Sequence, residues 1–321
     1  MNRYVRQVCL PEVGQQGQEL LYAANVLVVG AGGLGSTVLP LLAGAGIGRL
    51  HIVDPDRVEE SNLHRQVLYR MADIGHPKVD AAAKALAALN PDCRIDPLAV
   101  RLDPARARTE ISHADVVVDA ADSFTVTYAL SDLCHEMRKP LISASVLGRT
   151  GYVGGFCGTA PSYRSVFPDL PVALQSCASG GVMGPVVATL GAIQAQMVLS
   201  ALLKHNPSPM GQLMSVDMQS WRLSSFRFDT AGEPETPVPR VLAREEITSR
   251  DIVIELRDAC EAPELPLRQA QRITADALAG FVPEAGRRVV FSCATGLRAW
   301  RAATDLARRA DNTVAILALS E

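Results

Sequence analysis

The sequence is poor in aromatic side chains and has no excess of charge of either sign. Aromatic residues make up 5% of the 321 residues, and 31 lysines and arginines stand against 34 aspartates and glutamates. A nucleic-acid-binding protein usually carries a clustered basic patch, whereas the charges here are mixed along the chain. The composition therefore argues against a nucleic-acid partner.

Paired cysteines are lacking as well. The N-terminal residues have neither the basic start nor the apolar run of a signal peptide. An odd number of scattered cysteines does not form a disulfide framework, so we expect reduced thiols in the cytoplasm. The seven cysteines are Cys9, Cys93, Cys134, Cys157, Cys177, Cys260 and Cys293.

Charged residues are absent between Leu170 and Leu203. A membrane-spanning helix needs roughly 20 apolar residues, so this stretch is long enough to be considered. Its most apolar part is interrupted by Gly184-Pro185, Gln194 and Gln196. The stretch therefore predicts a core helix of a soluble protein rather than a membrane span.

A glycine-rich turn stands near the start of the chain. The apolar run Val26 to Val29 leads into Gly30-Ala31-Gly32-Gly33-Leu34-Gly35, and an apolar helix and a second strand ending in Asp54 follow. In such a βαβ unit the glycines let the backbone approach a phosphate, and the helix N-terminus offers free N–H groups. An acid at the next strand end can hold ribose hydroxyls. A nucleotide is the expected ligand.

The charged residues after Asp54 indicate which class of nucleotide the site binds. Asp56, Arg65 and Lys78 follow within one segment of the chain. A triphosphate needs cations against its phosphates and a carboxylate to hold Mg²⁺, whereas a nicotinamide site gains little from such cations. Phosphoryl or nucleotidyl chemistry is favoured, and a dehydrogenase is the weakest alternative.

The middle of the chain alternates helical and strand patterns. Lys78 to Leu89 and Phe124 to Met137 have helical spacing, whereas Asp115 to Asp119 and the residues from Pro140 read as strands. Alternation of this kind predicts an α/β fold with a Rossmann-like, doubly wound and mainly parallel sheet. Asp122 then lies just beyond the carboxyl end of a strand, where ligands bind in such sheets.

Several ordered motifs together resemble the HesA/MoeB/ThiF adenylating enzymes, which are related to ubiquitin-activating enzymes. The resemblance covers about the first 228 residues, which we predict to form one adenylation domain. Its motifs are Arg3-Tyr4-Val5-Arg6-Gln7, the glycine turn, Asp54-Pro55-Asp56, Ser61-Asn62-Leu63-His64-Arg65-Gln66, Lys78, Asp119 to Asp122, Ser176-Cys177 and Gly180-Gly181-Val182-Met183-Gly184-Pro185.

The resemblance implies that the domain uses ATP and Mg²⁺. Gly33 would lie against ATP, Asp54 would hold the ribose, and Asp122 would position Mg²⁺. Arg6 would reach into the partner subunit's site, which implies a homodimer. The residues implied for nucleotide binding are Gly30, Gly32, Gly33, Gly35, Asp54, Asp56, Ser61, Asn62, Arg65, Lys78, Asp122 and Ser123.

The chain departs from the family pattern in two places. Ser123 and Thr127 stand where the family usually has Asn and Arg, so the family's substrate contacts on that side are not carried over to this chain. Many relatives bind a structural zinc through two Cys-x-x-Cys pairs. Here the first segment reads Pro161-Ser162-Tyr163-Arg164-Ser165 and the second, around Asp229 to Pro234, has no cysteine. Hydroxyls are poor zinc ligands, so we predict no zinc.

Cys177 precedes an apolar helix in a loop of small residues. A helix N-terminus lowers the pKa of a thiol, and in thiol-using relatives this position engages the carrier protein. Two interpretations therefore stand for Cys177: a catalytic thiol or a packed side chain.

A second module follows a linker over residues 229–240, which is rich in proline. Residues 241–321 contain strand patterns at Ile252 to Leu256 and at Val289 to Phe291, and a helix over Ala299 to Arg309. Cys293 opens a small loop between the last two elements. This arrangement resembles a rhodanese-like sulfurtransferase, in which a helix N-terminus stabilises a thiolate or persulfide. A degenerate module without activity is the alternative.

Together the two resemblances imply one function. The enzyme would adenylate the C-terminal Gly-Gly carboxylate of a ubiquitin-like sulfur carrier, and Cys293 would pass sulfur to it from a cysteine desulfurase or another donor. The catalytic candidates are Arg6, Arg65, Lys78, Asp122, Cys177 and Cys293. Adenylation alone, activation of a peptide or tRNA-bound carboxylate, and a scaffold protein without activity are the alternatives.

Overall fold

The computed structural model describes residues 3–170, 180–234 and 238–319. Contacts divide the chain into two compact units, of which residues 1–102 and 108–232 form the first and residues 103–107 and 233–321 form the second. Each unit has a sheet of its own. The division after Gly232 falls within the linker predicted from the sequence.

An eight-stranded sheet forms the centre of the first unit. Its strands are β1 (Asn25–Val29), β2 (Arg49–Val53), β3 (Arg94–Leu98), β4 (Val116–Asp119), β5 (Pro140–Leu147), β6 (Thr150–Cys157), β7 (Gln212–Asp217) and β8 (Arg222–Arg227). Their order in the sheet is β3-β2-β1-β4-β5-β6-β7-β8. Strands β3, β2, β1, β4 and β5 are parallel to one another, whereas β6, β7 and β8 continue the sheet in antiparallel pairs.

The parallel strands at the centre are short apolar runs because both of their faces are covered. In β1, the four residues from Val26 to Val29 are buried, and Val116 to Val118 are buried in β4. Strands that face helices on both sides have this continuous apolar composition. The chain reverses its winding between β1 and β4, so a crevice for ligands is expected at the carboxyl ends of these two strands.

Helices alternate with the parallel strands. Their apolar faces complete the core, as Val38, Leu39 and Leu42 do between β1 and β2. The predicted α/β class with a mainly parallel sheet is thereby confirmed. The helices of this part of the chain are α1 (Val5–Val8), α2 (Gly14–Ala23), α3 (Gly35–Ala45), α4 (Lys78–Leu89), α5 (Pro104–Ser112), α6 (Phe124–Glu136) and α7 (Gly184–Leu202).

Helix α7 is long and apolar enough to cross a membrane by length and composition alone. In the structure its buried residues, among them Val187, Leu190 and Val198, belong to the same core as the residues of α3 and the central strands. The core helix of a soluble protein meets the same criteria of length and composition. The packing therefore supports the core-helix interpretation of this stretch.

Helix α7 is joined to the two central strands β4 and β5 and to a neighbouring loop. Gln194 is fully buried, and its Nε2 donates to the carbonyl oxygens of Asp119 at 2.7 Å and Ile142 at 3.1 Å. Gly184, the first residue of the helix, lies so close to the carbonyl oxygen of His64 that a Cβ would not fit. Helix α7 is thus fastened to two segments that carry predicted site residues.

The second unit contains a five-stranded parallel sheet. Its elements are β9 (Arg240–Val241), β10 (Ile252–Glu255), β11 (Gln271–Arg272), β12 (Val289–Cys293), α8 (Leu297–Arg309) and β13 (Val314–Ala318). The strand order is β11-β10-β12-β13-β9, and all pairs are parallel. Helix α8 is strongly amphipathic, and it buries Trp300, Ala303 and Leu306.

Candidate nucleotide site

A pocket of about 400 Å³ opens at the carboxyl ends of the central strands of the first unit. This volume is in the range of small-molecule sites. It lies where the order of the parallel strands reverses, as the fold predicts. The predicted residues that line it are Gly30, Gly32, Gly33, Asp54, Asp56, Asn62, Arg65, Lys78, Asp122 and Ser123.

The glycine turn after β1 requires glycine at Gly30. Gly30 has a φ of 100°, and a Cβ on it would lie 2.5 Å from the carbonyl oxygen of Ala120. The turn is held from both sides, because the Ala31 N–H donates to Asp54 Oδ2 at 2.7 Å and Tyr69 Oη donates to the Ala31 carbonyl at 2.6 Å. Helix α3 begins directly afterwards at Gly35. The turn is therefore rigid before any ligand arrives.

Asp54 is 6% exposed and accepts two backbone hydrogen bonds. Its Oδ1 accepts from the Asp56 N–H at 2.8 Å, and its Oδ2 accepts from Ala31. Burial raises the pKa of Asp54, and the nearby Lys78 opposes this rise. The carboxylate therefore fixes the glycine turn and the segment after β2, in addition to any contact with a ribose.

Lys78 begins α4 and points its ammonium group towards the segment after β2. Its Nζ donates to Asp56 Oδ2 at 2.7 Å. The Lys78 side chain is 7% exposed, whereas that of Asp56 is 62% exposed. The cation is thus buried, paired and held at the wall of the pocket, which is a suitable place to receive phosphate oxygens.

A short 3-10 turn, Glu60–Asn62, begins the Ser-Asn-Leu-His-Arg segment that reaches the pocket. Asn62 is buried, and its Oδ1 accepts from the Glu59 N–H at 3.3 Å. Arg65 Nη1 donates to the Ser61 carbonyl at 3.0 Å and lies 2.8 Å from His64 Nε2. Within the described residues, Nε and Nη2 of Arg65 can still donate to an anion in the pocket.

Asp119, which ends β4, and Asp122, which follows the strand, have different positions. Asp119 is completely buried, accepts from Ser143 Oγ at 2.7 Å and from the Ala121 N–H at 3.2 Å, and does not line the pocket. Burial raises its pKa to about 6. Asp122 lines the pocket, as does Ser123, the residue that precedes α6. Asp119 therefore shapes the turn that presents Asp122.

Five predicted residues lie elsewhere. Gly35 and Ser61 are not among the described residues that line the pocket, although both adjoin it in sequence. Arg6 is exposed on α1 and also lies outside the lining. Cys177 lies outside the described residues. Cys293 belongs to the second unit.

Sequence reasoning missed some residues of the pocket wall. Gln66 lines the pocket and is 3% exposed, but the motif that it ends predicted no role for it. Its position directly after Arg65 could have pointed to it. Arg101 also lines the pocket, beyond the end of β3. No spacing in the sequence marks Arg101, because β3 reaches the pocket only through pairing with β2.

The segment in which relatives carry the first zinc ligands is held by hydroxyl groups and an ion pair. Ser162 Oγ accepts from the Arg164 N–H at 3.1 Å, and Ser165 Oγ donates to the Ser162 carbonyl at 2.6 Å. Arg164 makes two hydrogen bonds to Asp132, at 2.6 and 2.9 Å. Within the described ranges no group of three His, Cys, Asp or Glu residues could hold a metal ion.

Aromatic packing surrounds the same segment. Tyr163 contacts Phe156 at 5.2 Å and Phe167 at 4.7 Å between ring centroids, and Tyr152 stacks on Phe167 at 4.8 Å. Pairs of this kind contribute roughly 0.5–1.5 kcal/mol beyond the burial of their area. These aromatic contacts stabilise the segment around Tyr163.

In the second unit, Cys293 is the last residue of β12 and is 1% exposed. Its Sγ accepts from the Ala299 N–H at 3.4 Å, in the first turn of α8. Arg298 of the same turn is paired with Glu261. The thiol therefore lies at the N-terminus of α8, where backbone N–H groups can donate to its sulfur.

The buried carboxylate of Glu255 contacts the strand that leads into the Cys293 loop. Glu255 is fully buried at the end of β10 and accepts from Arg257 Nε at 2.9 Å and from Ser292 Oγ at 3.0 Å. Although burial favours the neutral acid, these hydrogen bonds hold the pKa of Glu255 below its usual value. Ser292, the strand residue next to Cys293, thus donates to a carboxylate that is also paired with Arg257.

Comparison with known proteins identifies the family of the first unit. Residues 4–238 match the ThiF family. The chain belongs to the ThiF family. This match confirms the family predicted from the motifs. It ends before the Cys293 loop, so the rhodanese-like character of the second unit stays a prediction.

Relatives with curated names agree with this family. The SAMP-activating enzyme E1 of Haloferax volcanii is 36% identical over 240 residues, which are 74% of this chain and 88% of that protein. The sulfur carrier protein adenylyltransferase of Thermus thermophilus is 41% identical over 262 residues, covering 79% and 94%. The adenylyltransferase and sulfurtransferase MOCS3 of Bos taurus is 46% identical over 74% of this chain, but the match spans only 54% of that longer protein.

Solved structures share the fold. MccB of E. coli, crystallised with AMPCPP and the peptide MccA, superposes with a TM-score of 0.63 at 23% identity and covers 73% of each chain. The complex of MccB with ATP gives a TM-score of 0.61 at 22% identity, again over 73% of each chain. At this level of identity the likeness concerns the architecture alone.

Proposed function

We propose that this protein is an ATP-dependent adenylyltransferase that acts on the C-terminal carboxylate of a small ubiquitin-like sulfur carrier. One observation carries the proposal. A single pocket combines a rigid glycine turn, the buried cation Lys78, the guanidinium group of Arg65 and the carboxylate of Asp122. These groups fit a nucleoside triphosphate with its metal ion.

The relatives support the choice of substrate. The Thermus protein is named for adenylation of a sulfur carrier protein, and this chain spans 94% of its length. The Haloferax protein is named for activation of SAMP, and 88% of its length is covered. A carrier of this class ending in Gly-Gly is therefore the acceptor that we propose.

The reaction needs charge neutralisation more than a protein nucleophile. A carboxylate oxygen of the carrier forms a bond to the α-phosphorus of ATP, the bond to the bridging oxygen breaks, and pyrophosphate leaves. Negative charge grows on the phosphate oxygens during this step, and fixed cations and N–H groups stabilise it. Lys78 and Arg65 supply the cations, and the glycine turn supplies N–H groups.

Mg²⁺ fits this arrangement through Asp122. Mg²⁺ is usually held by one or two carboxylates, together with phosphate oxygens and water, rather than by an all-protein cage. Asp122 provides one carboxylate at the pocket, on the turn that Asp119 holds. Bound there, Mg²⁺ would neutralise charge on the triphosphate.

The second unit is proposed to supply sulfur. A persulfide on Cys293, loaded by a cysteine desulfurase or another donor, would attack the acyl carbon of the adenylate through its outer sulfur, and AMP would leave. A second thiol, supplied by a thiol reductant, would then form a disulfide with the Cys293 sulfur and release the carrier thiocarboxylate. The helix N-terminus at Cys293 supports this role.

A homodimer is part of the same proposal. Arg6 is exposed on α1 and does not line the pocket of its own subunit. The family resemblance assigns it to the partner's site, where it would add a further cation to the triphosphate.

The test is exchange of labelled pyrophosphate into ATP by the full chain, with Mg²⁺ and candidate carriers that end in Gly-Gly. We expect exchange only with a matching carrier, and none when its last two glycines are deleted. Addition of a persulfide donor should then give a carrier whose intact mass shows replacement of one oxygen by sulfur. Absence of exchange with every candidate carrier would refute the adenylation proposal.

Adenylation without sulfur transfer is the second candidate, and the burial of Cys293 favours it. At 1% exposure the thiol cannot meet a large acyl-adenylate unless its loop moves. Replacement of Cys293 by Ala decides between the two. If thiocarboxylate forms at an unchanged rate in the reconstituted reaction, a separate protein delivers the sulfur and the second unit has another role.

A further inference from the structure

Gln66 is a buried amide at the pocket wall that has no assigned partner. It follows Arg65 directly, lines the pocket and is 3% exposed. Its Oε1 is buried and makes no hydrogen bond within the described part of the chain. Its Nε2 lies 3.7 Å from the position that a Cβ on Gly32 would take, so the amide is next to the glycine turn.

Neighbouring buried polar side chains make hydrogen bonds to the backbone, whereas the Gln66 side chain makes none to the described residues. Asn62 is bonded to the backbone of Glu59, and Tyr69 to the carbonyl of Ala31. The Nε2 of Gln194 donates to two carbonyl oxygens. For Gln66 neither end of the amide has a hydrogen-bond partner among the residues that the structure describes. A buried amide without partners is unfavourable, which points to a partner supplied by a ligand.

We propose that the Gln66 amide nitrogen donates a hydrogen bond to a non-bridging oxygen of the α-phosphate. This inference rests on the proposed function of the pocket. The glycine turn beside Gln66 is where a phosphate would lie, and an anionic oxygen selects the amide orientation that presents nitrogen. The two ends of an amide can exchange by rotation, so an oxygen turned inwards in the free protein does not prevent this contact.

The contact has a chemical consequence at the reacting phosphorus. During attack of the carrier carboxylate, a bond forms to the α-phosphorus and the bond to pyrophosphate breaks, while charge collects on the non-bridging oxygens. A donor already aimed at one of these oxygens stabilises that charge without reorganisation. Gln66 therefore contributes to the rate and to recognition of the α-phosphate, separately from Arg65 and Lys78.

Binding of AMP and of adenosine by isothermal titration calorimetry tests the contact without any carrier. The two ligands differ only in the α-phosphate. We expect Gln66→Leu to weaken AMP binding by about tenfold or more, because a hydrogen bond to a charged group is lost. Adenosine binding should stay within about twofold by the same reasoning. The matched control is Gln15→Leu, which changes an exposed glutamine on α2 and should alter neither affinity.

The thermal midpoint separates a ligand contact from a structural role. Because Gln66 is unpartnered in the described free protein, Gln66→Leu should melt at the same temperature as the wild type or higher. Equal loss of AMP and adenosine affinity with a lower midpoint would overturn the proposal, and so would unchanged AMP affinity. Gln66→Glu gives a second check, since a carboxylate there should repel AMP and leave adenosine binding unaffected.

Failure of the Gln66 contact and failure of the proposed adenylation function give different results. If no carrier supports pyrophosphate exchange but Gln66→Leu selectively weakens AMP binding, the acceptor assignment fails and the α-phosphate contact stands. If exchange occurs and Gln66→Leu leaves its maximal rate within twofold of the wild type, the contact has no role in the reaction and the proposal is wrong.

Discussion

Lys78 Nζ lies 2.7 Å from Asp56 Oδ2, and this ion pair joins the start of α4 to the segment after β2. The ammonium group is buried while the carboxylate is exposed. The pair therefore holds the cation in one position at the pocket wall, and it leaves Asp56 accessible to solvent and ligands.

Lys78→Met should abolish most of the adenylation activity. Loss of a cation that stabilises transition-state charge commonly lowers the rate by about 10²–10³-fold. We expect a reduction of this size in kcat/KM for pyrophosphate exchange. Lys84→Met is the matched control, since Lys84 is exposed on the same helix. A loss of less than about fivefold in the Lys78 variant would contradict a phosphate contact, because a charge-assisted hydrogen bond contributes more than that.

Asp122→Asn should change the dependence of the reaction on Mg²⁺. The amide keeps the shape of the side chain but removes the charge that would hold the ion. We expect the Mg²⁺ concentration for half-maximal exchange to rise by about tenfold, with a lower maximal rate. Titration of Mg²⁺ at saturating ATP measures this shift. Asp92→Asn, at an exposed position, should leave the titration unchanged. An unaltered Mg²⁺ requirement would place the metal elsewhere.

Asp119 should make the stability of the first unit depend on pH in an unusual direction. Its pKa is raised by burial to about 6, so between pH 4 and 6 the folded chain binds more protons here than the unfolded chain. The contribution of this group to stability is therefore complete below about pH 4 and is lost as the pH rises through 6, by about 3 kcal/mol in total.

Urea unfolding of wild type and Asp119→Asn between pH 4.5 and 7.5 measures this contribution. The variant keeps an oxygen to accept from the Ala121 N–H, so its stability should depend less on pH and should equal or exceed that of the wild type at pH 7. Ser143→Ala, which removes the donor to the ionised carboxylate, should shift the titration upwards. Parallel curves for wild type and Asp119→Asn would show that Asp119 does not titrate in this range.

Restoring two thiols should not restore a zinc site. Ser162 and Ser165 make hydrogen bonds that cysteine replaces poorly, and the second pair of ligands is missing from the sequence. We expect the Ser162→Cys, Ser165→Cys double variant to lose about 1 kcal/mol of stability through the lost cap. Its zinc content after purification should match that of the wild type. Uptake of one zinc ion per chain would disprove the prediction.

The local features of the pocket could be predicted from the sequence because each is encoded within a few residues. The glycine turn, the helix Lys78 to Leu89 and the acid after β2 follow from spacing and residue type alone, and the structure has all three. Helix α6 ends at Glu136, within one residue of its predicted end.

The remaining features depend on non-local contacts. Spacing alone could not decide which acid of Asp119 to Asp122 faces the pocket, because the answer depends on Ser143 of the neighbouring strand. The lack of a hydrogen-bond partner for the Gln66 side-chain oxygen among the described residues likewise depends on the folded structure. The two-residue strands β9 and β11 are too short to give a pattern, and they exist only through pairing with β13 and β10.

The attachments of α7 have a mechanical consequence. Through Gln194 the helix is hydrogen-bonded to Asp119, the last residue of β4, and to Ile142 within β5, and its first residue Gly184 contacts the backbone of His64, the residue before Arg65. The nineteen-residue helix thus links the Asp122 side of the pocket to the Arg65 side. A substitution that shifts α7 should therefore displace both sides of the pocket together.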